Sequence, residues 1–159
     1  MASPSNEEKA AALVQMAGIN AVGMYTPLLD RFPIMSQVDV KWWDFLVTVA
    51  GVFIAATRLN EICTDAALQD NLMQIVAKHL DEWDQRGIRA FEDCKTLFER
   101  EFDRLTASGC DPRFVAADAL GIWIVWNILN KVPHMDDECM LAHTVGTMVT
   151  HAFFDVWNR

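Results

Sequence analysis

The sequence predicts an all-α, single-domain bundle of five to six helices, and three observations carry that expectation. Apolar residues make up 52% of the 159 positions and charged residues 22%, with only seven glycines and five prolines, a globular balance that leaves little chain for irregular structure. Apolar side chains recur at three- and four-residue steps, as in Leu68, Leu72, Ile75, Val76, Leu80 and Trp83, which is the signature of one helix face. Runs alternating with period two, the mark of a half-buried strand, are scarce. A chain of this length buries about two thirds of the surface it exposes unfolded. Residues 1–159 therefore read as one helical domain, with residues 1–6 as a disordered N-terminal tail.

Turn and breaker residues divide the helices. The first is expected from Glu7 to Met24, ending before Pro27, with "RFPIMSQ" as the connecting loop. The second starts at Asp39 as N-cap and runs to Ile62. It contains twelve consecutive uncharged residues, Phe45 to Ala56, between Asp44 and Arg58. At about 1.5 Å per residue that run covers about 18 Å, short of the roughly 30 Å of bilayer hydrocarbon. It reads as a buried core helix. Residues 10–29 are a longer uncharged run, broken by Gln15, Gly18, Asn20, Gly23 and Pro27, and also read as a soluble helix. No membrane association is expected.

A third block begins after Thr64 or Asp65 and is broken near Gly87. Beyond the break, Ile88, Phe91, Cys94, Phe98, Phe102 and Leu105 share one face, and charged residues occupy the rest as a solvated surface. In "CDPRF", Asp111 is the expected N-cap and Pro112 the first helical residue, opening a fourth helix that runs to Asn130. In "KVPHMDDE", Asp136 is the expected cap of a fifth helix reaching almost to Arg159.

The formal charge is −9, and thirteen basic residues lie scattered among twenty-two acidic ones. Phosphate neutralisation needs clustered cations, so nucleic acid and anionic lipid are excluded as partners. The polar, acidic start "MASPSNEEK" lacks the basic and then apolar pattern of a secretory signal, and a cytoplasmic location is expected. Cys63, Cys94, Cys110 and Cys139 form no CxxC pair and read as free thiols packed like small hydrophobes.

Charge is unevenly distributed. Twenty of the thirty-five charged residues lie from Arg58 to Arg113, none lies from Cys139 to Phe154, and Asp118 is alone between Phe114 and Asn130. A helix without charge on any side has to be covered on every side. One such helix can be central, but several cannot, so the charge-poor first and last helices are expected to supply the interface of a homodimer.

Candidate site residues compete with plainer readings. His143 and His151 share the side of the last helix away from Val145, Met148, Val149, Ala152 and Val156, together with Thr144, Thr147 and Thr150. That neutral polar face suits either a ligand pocket or a helix seam whose hydroxyls bond backbone carbonyls, and the seam is expected. His134, Cys139 and His143 have a suggestive spacing but lack the fourth ligand and second tight pair of a structural zinc site. Glu-x-x-His, the di-iron bundle motif, is missing, and no metal or cofactor is expected. His79 lies on an apolar stripe near Glu82 and Trp83. Asp118 is expected to face solvent or to pair with an arginine such as Arg58, because an unpaired buried carboxylate is costly. Trp42, Trp43, Trp123 and Trp126 are core residues or the wall of a pocket. Gly-rich phosphate loops, GxSxG, HExxH and CxxCH motifs do not occur, so no recognisable enzyme class is implied. The expected role is a helical structural or interaction module. The alternative is a binder of a small apolar ligand or cofactor, with a pocket lined by His143, His151, Thr147, Trp123 and Trp126, and with His79 and Asp118 as further candidates.

Overall fold

The computed structural model describes residues 5–62 and 65–153, with the backbone alone for residues 59–62. They form an all-α bundle of six α-helices: α1 (Asn6–Arg31), α2 (Val40–Ile62), α3 (Ala66–Trp83), α4 (Gly87–Ala107), α5 (Val115–Leu129) and α6 (Asp136–Phe153). A short 3-10 turn, Pro33–Gln37, joins α1 to α2. The break near Gly87 makes α3 and α4 separate helices. Cys63 and the stretch after Phe153, where the last helix was expected to continue, lie outside the described residues.

α2 is the central helix. It touches the other five, and α1, α3, α4, α5 and α6 follow one another around it, each packed on the next. Every residue from Phe45 to Ala56 is buried, so the uncharged run that opened the question of a membrane is here covered by protein. Three indoles tie this core together. Trp43 donates to the Ala21 carbonyl of α1 (2.9 Å), Trp42 to the Asn127 carbonyl of α5 (3.1 Å), and Trp123 of α5 to the Asp93 carboxylate of α4 (2.9 Å). Each N–H thereby keeps a partner while the ring is withdrawn from water. By length and composition alone α1 and α2 could each cross a bilayer, but the apolar window of α2 is 72% buried in the bundle and that of α1 only 33%.

The helix ends depart from expectation in four places, each for a local reason. Ser5 and Asn6, expected within an N-terminal tail, instead cap and begin α1, because Ser5 and Glu8 form a reciprocal capping box (Glu8 N–H to Ser5 Oγ, Ser5 N–H to Glu8 Oε2). α1 does not stop before Pro27 but continues to Arg31. Pro27 removes the bond to the Gly23 carbonyl; both residues are exposed, so that carbonyl opens to solvent, and Gly23 has no side chain to crowd the ring. Asp111 and Pro112 do not start α5. The Asp111 carboxylate is occupied by the amide and guanidinium of Arg113 (3.0 and 2.7 Å), and residues 111–114 close into a turn. Asp136 is the first residue of α6 rather than its cap. Glu138 in the first turn instead reaches back to the two residues before the helix, its Oε1 accepting from His134 N–H and Met135 N–H. Asp39 caps α2 as expected, and Asp65, one of the two residues after which the third block was expected to begin, caps α3, each through Oδ1.

Candidate functional site

The closest helix packing among the described residues joins α5 and α6. Ala117 and Gly121 on α5 meet Ala142 and Gly146 on α6, a small residue every four on each helix. A Cβ built on Gly121 would fall on the Ala142 carbonyl, and one on Gly146 would fall on the Ala117 carbonyl. The backbones therefore touch, and glycine is required by contact rather than by conformation. Asp118 follows Ala117 and His143 follows Ala142, so both project from the same edge of this seam. His143 Nδ1 donates to Asp118 Oδ1 at 2.6 Å, with side chains 43% and 27% exposed, and the Phe114 ring stands edge-on to the imidazole at 5.4 Å. The isolated acid of α5 thus finds a histidine, neither an arginine nor open solvent.

An imidazole held through Nδ1 presents Nε2 outward, the arrangement a general base requires. Among the described residues, however, no hydroxyl or thiol is bonded to Nε2. The neighbouring hydroxyl of Thr144 donates to the Met140 carbonyl instead (2.8 Å). The pair is placed to tie two helices at a surface edge.

The remaining candidates do not converge on this pair. Thr147 and His151 are exposed further along α6. Trp123 is buried (1% exposed) with its N–H turned to α4. Trp126 lies half-buried beneath the Arg100 guanidinium, 5.5 Å from its ring centroid. His79 is on another side of the bundle, where its Nε2 donates to Glu7 Oε2 at 2.6 Å and links α3 to α1; that bond holds the Glu7 carboxyl below its usual range. His134 lies 3.4 Å from Glu138, whereas His143 is turned to Asp118, so the His134–Cys139–His143 spacing does not gather its members on one ion.

Three features escaped the sequence reading. The first is a cleft of about 590 Å³ between α2, α3 and α4. Phe53, Phe91 and Phe98 form an edge-to-face group in its wall, with centroids 5.6 and 4.9 Å apart. It opens along the part of α4 read as a solvated face. Amphipathic periodicity reports that α4 turns its apolar side inward, but not how closely α3 approaches it. The second is an aromatic stack at one end of the bundle. Trp42, Phe45 and Trp83 lie nearly parallel, 5.3 and 5.6 Å apart, and the Arg86 guanidinium sits 4.5 Å from the Phe45 ring while Asp84 grips it by two oxygens.

The third is the outer face of α1. Ala12, Gln15, Ile19, Val22 and Thr26 recur at alternating three- and four-residue steps, and all are exposed. Ile19 (66%) and Val22 (63%) are the most exposed large apolar side chains among the described residues. The uncharged run was legible in the sequence; which side of it the bundle leaves bare was not.

No protein family matches the chain, and neither the curated proteins nor the solved structures yield a match to it.

Proposed function

We propose that this is a cytoplasmic helical interaction module that works as a homodimer, and that its interface is the outer face of α1. The observation that carries this reading is the exposed stripe itself: five uncharged residues at seam spacing, from Ala12 to Thr26, cover about 21 Å of helix, and all five are exposed among the described residues, with only Gln15 bordering α3. Charge returns on that face only at Glu8 and Asp30, and the stripe is centred on Ile19. An antiparallel two-fold crossing at Ile19 buries the uncharged part and leaves the charged ends in water, the self-complementary contact that a symmetric dimer requires. Ala12 and Gly23 keep the stripe shallow; nothing stands within 4 Å of a Cβ at Gly23. The exposed side of α6, with Thr147 and His151, is a second uncharged surface but carries a single large apolar side chain, Met140 (51% exposed).

Sedimentation and native mass spectrometry of the wild type, Ile19→Glu, Val22→Glu and Thr147→Glu test the reading. A dimeric wild type, made monomeric by either α1 substitution with its helical content unchanged and its melting temperature no longer dependent on protein concentration, is the expected result. Dissociation by Thr147→Glu alone moves the interface to α6. A wild type that is monomeric in buffer but sediments with zwitterionic vesicles defeats the reading and makes α1 a lipid-facing helix.

A further inference from the structure

We propose that the cleft between α2, α3 and α4 is a binding site for an amphipathic organic cation: an apolar, preferably aromatic body carrying an amine or quaternary ammonium group. The site is independent of the α1 face and lies elsewhere on the bundle. Its volume of about 590 Å³ falls within the roughly 300–1,000 Å³ typical of small-molecule sites. Its wall is apolar. The edges of Phe53, Phe91 and Phe98 meet there, and Met73, Val76 and Ala77 of α3 face them across the gap.

The charge of the ligand follows from the rim. Among the described residues that line the cleft, Asp70 of α3 and Glu92 and Glu99 of α4 stand around the mouth with one cation, Lys95. Lys95 is three residues after Glu92 and four before Glu99, so on the helix surface its ammonium is flanked by both carboxylates. The rim keeps a net charge of −2, with Asp70 facing α4 across the opening. Aromatic rings beneath a carboxylate rim attract a cationic headgroup, through both the acids and the electron-rich ring faces, and repel a carboxylate with the same body. The same surface disfavours phosphorylated and fatty-acid-like ligands, whose headgroup would meet a rim of net charge −2.

Three probes with one aromatic body separate these contributions: naphthylmethylammonium, the neutral naphthylmethanol, and naphthylacetate. Each is titrated calorimetrically into the full-length protein up to millimolar concentration, with the ligand-dependent rise in melting temperature as a second readout. The ammonium probe is expected to bind at least about tenfold more tightly than naphthylacetate, a difference of about 1.4 kcal/mol, with naphthylmethanol between them. The double variant Glu92→Gln/Glu99→Gln, altered only at exposed side chains, is expected to lose that preference while binding naphthylmethanol as the wild type does. Ala77→Phe, which fills the cleft, is expected to abolish binding of all three, and Met73→Gln to weaken all three about equally should the phenylalanine variant fail to fold. Naphthylacetate binding as tightly as the ammonium probe, no binding by any probe, or binding that survives both the filled cleft and Met73→Gln would each overturn the proposal.

Discussion

The α5–α6 pair and the α3–α4 pair are both helices joined by a short connection, yet one closes completely and the other leaves a cleft. Along α5 and α6 the contact positions are Ala117, Gly121, Ala142 and Gly146, and the backbones meet with no side chain between them. α3 and α4 present larger side chains, among them Met73, Leu80, Phe91 and Phe98, and the space between them is not filled. The difference lies in side-chain size at the seam rather than in hydrophobicity. Small residues allow the closest approach of two helices and shut out any ligand; large ones hold helices apart, and any shortfall in filling becomes a cavity. At the turn itself α3 and α4 do come close, where Gly87 lies against Leu80, and they diverge from there.

Filling each seam is the strongest way to break this comparison. Gly146→Val places atoms where the Ala117 carbonyl already stands, so α5 and α6 must separate. The expected loss is about 3 kcal/mol or more, read as a fall in Tm of roughly 6–12 °C. Ala77→Phe adds more atoms to the other seam but enters open space, and is expected to change stability by less than about 1 kcal/mol. Equal losses would mean that the cleft closes in solution.

A second effect belongs to the end of the α5–α6 pair. The Glu138 side chain is 4% exposed, receives the Lys131 ammonium at 2.9 Å and accepts from the two backbone amides just before α6. The Lys131 bond first, and the Met135 and His134 amides after it, lower the Glu138 carboxyl from its usual 4.5 to about 2. Because the folded-state value is the lower one, this stabilisation is complete above pH 4.5 and is lost as the pH falls towards 2. Urea melts at neutral pH and at about pH 3 are expected to show wild-type stability falling over that interval. Glu138→Gln is expected to be weaker at neutral pH and to show a shallower acid slope.

The smallest effect sharpens the comparison. A double-mutant cycle on Asp118→Asn and His143→Ala is expected to give a coupling of no more than about 1 kcal/mol, because both side chains are partly in water. A larger coupling would mean that the seam depends on this pair as well as on its small residues.

The amino-acid sequence by itself determined the helical class, a count of five to six helices and the burial of α2, since these depend on periodicity and on the length of uncharged runs. It also singled out Asp118 and His143, each unusual in its own helix. Only the tertiary structure paired them, because the register of α5 against α6 is set by where Gly121 and Gly146 meet, twenty-five residues apart in the chain. The same holds at the helix starts. Asp39 acts within its own turn and was legible, whereas Asp111 was claimed by Arg113, and Asp136 became the first residue of α6 while Glu138 bonded back to the two amides before it. The cleft and the bare face of α1 were least visible of all. Amphipathicity says which side of a helix prefers to be buried, but what a side meets, and how closely, is decided by the other helices packed around α2.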